Sequence, residues 1–205
     1  MTYDTLASKA AIKKTVAALS NNNVEPIIVE NGSDALKKIK NLIPKGAAVM
    51  NGSSTTLHEI GFIDYLKSGK HGWNNLHSKI LDEKNPEKQA LLRKQSVLSD
   101  YYLGSVHALS QTGEFIIASN TGSQLPHVVF TSPNLIFVVG TQKIVPTLAD
   151  AQVRLREYVF PLEDEYMKKQ YGKSTHISKE LIFHWENPMM GRKVRVILVK
   201  EKLGY

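Results

Sequence analysis

Three short stretches hold the residue types from which an anion site is made. Asn51-Gly52-Ser53-Ser54-Thr55-Thr56, Asn120-Thr121-Gly122-Ser123-Gln124 and Gly140-Thr141-Gln142-Lys143 each combine glycine with hydroxyl or amide side chains, and each follows an apolar run. Glycine lets the backbone turn so that several N–H groups can point at one bound oxygen anion, and the short side chains add further donors. If the three loops converge, the pocket has many donors and one ammonium, Lys143. That ammonium can neutralise a phosphate or carboxylate, and burial would lower its pKa toward the range where a lysine serves as base or Schiff-base nucleophile. His58, one turn beyond the first loop, can act as an acid or base near neutral pH. The plainer alternatives are surface turns and a solvated lysine.

Other chemistries lack their signatures. The first loop is neither Gly-x4-Gly-Lys-Ser/Thr nor Gly-x-Gly-x-x-Gly, and Gly52-Ser53-Ser54-Thr55 is not the Gly-x-Ser-x-Gly of a nucleophile elbow. His58-Glu59 has no second histidine four residues on, so no metal is expected, and nothing points to a bound cofactor. Cysteine is absent, which removes disulfides, thiol nucleophiles and cysteine ligation of an iron–sulfur cluster.

The order of motifs carries more than any one of them. Asn51 to Glu59, Asp100-Tyr101-Tyr102-Leu103-Gly104, His107-Ala108-Leu109, Thr112-Gly113-Glu114, Ala118 to Pro126, Val138 to Pro146 and Arg156 to Asp164 together resemble the LUD domain family, in particular its lactate-utilisation protein C branch. The resemblance implies a fold related to ribose-phosphate isomerase, glucosamine-phosphate deaminase and coenzyme A transferases. It also implies a place in L-lactate oxidation beside iron–sulfur partner proteins, but no particular reaction. If the likeness to coenzyme A transferases or sugar-phosphate isomerases extends to mechanism, Glu114 is the candidate acid, able to form a mixed anhydride or move a proton beside a carbonyl. It begins its strand, however, which can put it at the opposite end of the sheet from the loops. The alternative reading is a free-standing isomerase, coenzyme A transferase or cyclo-ligase acting on a phosphorylated, coenzyme A-linked or folate substrate.

The elements that must hold these residues read as alternating helix and strand. A helix is expected over Asp4 to Leu19, a strand over Val24 to Val29 whose Pro26 suits an edge position, and a helix capped by Ser33. Ala47 to Met50 reads as a strand, followed by a helix with a Thr56/Glu59 capping box. A helix from Glu87 to about Ser99, strands over Ser105 to Leu109 and Glu114 to Ser119, an apolar strand over Leu135 to Val139 and a helix capped by Thr147 and Asp150 come next. The acidic run Leu162 to Glu165 reads as a solvated helix start, and Leu181 to His184 with Val194 to Val199 as a closing hairpin. The expected fold is α/β, a mostly parallel sheet covered by helices with antiparallel central and final hairpins.

Residues 1–205, 42% hydrophobic, suffice for one core and one domain. No run approaches the roughly 18 apolar residues of a membrane span, so a cytoplasmic protein is expected. The net charge of +7, from 26 Lys and Arg against 19 Asp and Glu, favours anionic partners such as phosphorylated metabolites, nucleotides or nucleic acid. The lysines are scattered, without the clustered arginines or interleaved aromatics of a nucleic-acid surface, so nucleic acid is not the expected partner. Self-association is left open.

Overall fold

The computed structural model describes residues 3–205. Six strands run parallel in one sheet: Val24–Val29 (β1), Ala48–Asn51 (β2), Asn74–Asn75 (β3), Tyr101–Gly104 (β4), Asn134–Gly140 (β7) and Lys193–Val199 (β10). Their order is β1-β10-β7-β4-β2-β3. Four more strands, Ala108–Ser110 (β5), Phe115–Ser119 (β6), Ile144–Val145 (β8) and Lys179–Phe183 (β9), form a second sheet in the order β8-β5-β6-β9. In it β6 is antiparallel to both β5 and β9, whereas β8 lies parallel to β5.

β7 shows why the large sheet needs cover on both faces. Leu135 to Val139 are all fully buried, and side chains alternate between faces along a strand. Leu135, Phe137 and Val139 pack with Ile12 and Leu19 of the first helix, Lys9–Asn21 (α1), and with Phe115 and Ile117 of the small sheet. Ile136 and Val138 pack on the other side against Ala35 and Ile39 of Gly32–Leu42 (α2), Leu57 of Thr55–Glu59 (α3) and Phe62 of Phe62–Lys67 (α4). The small sheet uses its second face as well. Ala108, Ile116 and Val145 meet Ala151 of Leu148–Arg154 (α7), then Leu155 and Val159.

The helices Leu76–Asp82 (α5) and Pro86–Gln95 (α6) fill the connection from β3 to β4. α7 runs through a π-helical turn, Leu155–Val159, into Phe160–Tyr171 (α8). Pro161 has no N–H for the carbonyl four residues back, and the ladder widens ahead of it. The acidic run Leu162 to Glu165 lies at the start of α8, as expected, although α8 continues from α7 through the π-helical turn.

Other local expectations change for equally local reasons. α1 begins at Lys9, because Ser8 is extended and its hydroxyl accepts from the Ala11 N–H. α2 is capped by Asn31, which accepts from the Asp34 N–H, so Ser33 lies inside it. Ser54 caps α3 through the Leu57 N–H, leaving Thr56 buried and Glu59 free to reach elsewhere. Tyr101–Gly104, to which no element is assigned from sequence, is a strand between β2 and β7. The closing hairpin does not form: β9 joins β6, while β10 enters the large sheet between β1 and β7. Val194 to Val199 is apolar on both faces, which suits a central parallel strand and not one arm of an exposed hairpin. The Thr147/Asp150 capping box, the central hairpin and the edge position of Pro26 are as expected.

Candidate functional site

The carboxyl ends of β2, β4 and β6 open into one cavity of about 480 Å³ between the two sheets. That is within the range of small-molecule and cofactor sites, about 300–1,000 Å³. Asn51, Gly52, Ser53, Ser54 and Thr55 form one wall. Asn120, Thr121, Ser123 and Gln124 line the cavity as well, with Gly122 supplying the left-handed turn of their loop. His58 lies at the margin and is exposed.

Lys143 also lines this cavity, although it is only 3% exposed. A 3₁₀ turn, Thr141–Lys143, follows β7 and turns the side chain inward. Its Nζ donates to Thr56 Oγ1 at 3.1 Å, Ser105 Oγ at 3.2 Å and the Val106 carbonyl at 3.3 Å. None of the ion pairs among the described residues involves it. Burial, reinforced by the Arg154 guanidinium and partly offset by Glu59, lowers its pKa to about 7. The Thr56 and Ser105 hydroxyls accept from this nitrogen and donate their own hydrogens to the Leu203 carbonyl at 3.4 Å and the Val106 carbonyl at 3.5 Å.

Gly140 and Glu114 are placed elsewhere. Gly140, at the end of β7, does not line the cavity; a Cβ there would lie 2.8 Å from the Glu201 carbonyl oxygen and 2.8 Å from the Leu203 nitrogen. It is the flat spot on which residues 201–203 rest. Glu114 sits at the turn between β5 and β6, at the end of β6 remote from the cavity. Its carboxylate accepts from Ser110 Oγ and Thr112 Oγ1, each at 2.5 Å. Burial pushes its pKa up, but these bonds outweigh it and hold the group below its ordinary value.

Beside the expected His58, the structure brings in residues that composition does not single out. His58, His77, His107, His127 and His176, five of the seven histidines, line the cavity. They are not gathered for a metal: no group of three or more His, Cys, Asp or Glu among the described residues could hold one. The His127 ring stacks on Tyr102 at 4.6 Å between centroids, and its Nδ1 lies 3.1 Å from Ser99 Oγ and 3.0 Å from Ser132 Oγ. Burial lowers its pKa to about 4. Their common signal is position: Tyr102 and His107 stand on or just beyond strands whose apolar neighbours alternate, and only the pairing of β4 and β5 shows which ends converge.

Residues 203–205 close the lysine side. Gln142 Nε2 donates to the carbonyls of Leu203 at 2.8 Å and Gly204 at 3.3 Å, and the Gly204 N–H donates to Glu59 at 2.5 Å. Tyr205 donates to Glu163 of α8. Across the cavity a Cβ on Gly52 would come 2.5 Å from Tyr102 Oη and 3.3 Å from Gln124 Oε1. Gly52→Ala is therefore expected to push Tyr102 off His127 and narrow the cavity. Ligand affinity should fall at least tenfold with a stability change under about 2 kcal/mol, read by calorimetric titration and urea unfolding.

The described residues contain no helix long and apolar enough to cross a membrane. A family model described as the LUD domain matches residues 12–199. Among solved structures, a DUF162 family protein from Deinococcus radiodurans superposes with a TM-score of 0.56. The overlap covers 95% of this chain and 99% of that one at 13% identity, a likeness of fold. No curated protein matches the chain.

Proposed function

Because this chain belongs to the LUD domain family, a family linked to lactate utilisation, we propose that it binds a small anionic metabolite in the cavity between its sheets. The observation that carries this is Lys143, a buried amine with hydroxyl and carbonyl partners but no carboxylate, set where two glycine and hydroxyl loops meet. A buried cation without a counter-charge is unfavourable, and a bound anion relieves it.

In this reading the protein works in lactate oxidation with iron–sulfur subunits. These 205 residues contain no cysteine, so cysteine-held clusters must belong to partners. A second reading, a free-standing isomerase, transferase or cyclo-ligase, is favoured by the cavity's size, which exceeds what a three-carbon acid fills, and by an amine that is partly neutral at pH 7. Thermal unfolding against lactate, sugar phosphates, coenzyme A esters, folates and nucleotides tests both. A ligand at 100 times its Kd should stabilise by about 2.7 kcal/mol in the parent and by much less in Lys143→Met. Turnover by the isolated protein would favour the second reading. A flat panel, and no iron–sulfur protein recovered with the chain from its host, would remove the first.

A further inference from the structure

The hairpin beneath the cavity is opened at one position, and both groups that open it border the ligand space. β5 and β6 pair Ala108 with Ile116 and Leu109 with Phe115. Continued by two residues, that register would set Val106 against Ala118. Instead the Val106 carbonyl accepts from Lys143, and the Ala118 N–H donates to His107 Nδ1 at 3.1 Å.

A backbone amide can only donate, so Nδ1 must hold a lone pair, and the proton of the neutral ring is on Nε2. Protonating Nδ1 would set two N–H groups against each other. Burial, together with the charges of Lys143 and Arg154 and against a bond to Ile116, lowers the pKa of His107 to about 4. The rest of the residue is also fixed: its N–H donates to the Ile116 carbonyl at 2.9 Å, and its carbonyl accepts from Arg154. Nε2–H alone has no partner among the described residues, and the ring lines the cavity.

We propose that His107 is the oxygen-recognising residue of this site, a neutral donor whose Nε2–H binds the carbonyl oxygen of an anionic carbonyl compound. A 2-oxo carboxylate is the smallest member of the class. The neighbouring groups decide between carbonyl and hydroxyl. The Ser105 and Thr56 hydroxyls accept from Lys143 and donate to the Val106 and Leu203 carbonyls, so these acceptors are engaged, and among the described residues no carboxylate pairs with Lys143. The two donors left for a ligand beside them, the His107 Nε2–H and the Lys143 ammonium, suit an oxygen that only accepts, whereas a hydroxyl hydrogen placed there would meet carbonyls already engaged. A neutral donor adds no charge, so His107 reads the uncharged oxygen while Lys143 answers the anionic end. This assignment rests on the anion-binding reading of the same cavity.

Two measurements on the intact protein test it. In the first, ¹⁵N-labelled histidines are observed by NMR without ligand, the His107 signals being identified by their loss in His107→Gln. A pyrrole-type Nε2 and pyridine-type Nδ1, unchanged from about pH 5 to 8, are expected; a proton on Nδ1 overturns the assignment whatever the ligand behaviour. In the second, pyruvate, propionate and L-lactate are titrated into the same sample. Pyruvate should move the His107 Nε2 signal and bind about tenfold tighter than either of the others, the worth of one well-made hydrogen bond. Equal binding of the three acids with Nε2 unmoved removes the role of His107 and leaves the anion site standing. If none binds while the tautomer is as stated, the assignment to a 2-oxo carboxylate falls, and the wider thermal panel decides the anion reading separately.

Discussion

Raising the pH from about 7 to 9.5 is expected to stabilise this protein, and Lys143→Met is expected to abolish most of that rise. An unfolded lysine titrates near 10.4, whereas Lys143 in the fold titrates at about 7. Between those values the unfolded chain binds the extra proton, so unfolding free energy climbs with pH. Below pH 7 both states are protonated and the contribution is flat. A shift of this size corresponds to roughly 4–5 kcal/mol over the full window, an upper figure because water can reach a cavity wall. Urea unfolding at steps of pH, parent against Lys143→Met, isolates the term, since every other titrating group is common to both. Equal slopes would mean that the amine is solvated in the native state. Ligand affinity should run the other way: the ammonium holds the anion, so binding weakens as pH rises through about 7, and methionine should remove that dependence.

Gly140→Ala should be the most damaging single-methyl change near the site. The added carbon would lie 2.2 Å from Gln142 Oε1, which can swing aside, and 2.8 Å from backbone atoms of Glu201 and Leu203, which cannot. Overpacking of this kind costs about 1–3 kcal/mol. Relief comes most easily by lifting residues 201–205, which breaks the Gln142 and Glu59 bonds to Leu203 and Gly204. Lys143 would then be wetter, so the variant should lose part of the pH-dependent stabilisation along with its urea midpoint. A lowered midpoint with the parental pH slope would show that the tail does not shield the lysine.

The order of the helices and most strands was legible because periodicity and turn residues are local. β7 announced itself by five apolar residues bounded by Asn134 and Gly140. Two of the three loops could be nominated from composition and do meet at the cavity, and so does Lys143. What could not be read was pairing between segments distant in the chain. Tyr101–Gly104 is short, and its role as a strand depends on β2 and β7 lying beside it. Val194 to Val199 has the apolar run of a buried strand, yet a turn signal at Pro188 and Gly191 mimics a hairpin. Ser54 and Thr56 are both plausible caps; Ser54 takes the role because Thr56 is drawn under Leu203 and Lys143. His107 was the least legible, since its importance comes from an amide eleven residues away.

The place of β10 constrains how the molecule is made. β1 precedes the other described strands in the chain, yet among the described residues its only strand partner is formed by residues 193–199. Until that segment emerges, β1 cannot join the sheet, and the flank of β7 that will receive β10 is an open parallel edge of apolar residues. Such edges invite pairing with other chains. A ribosome-bound intermediate would therefore carry two unpaired edges from the emergence of β7 until residues 193–199 follow it. It should depend on chaperones, or on slow late closure, in a way that a fold completed strand by strand would not.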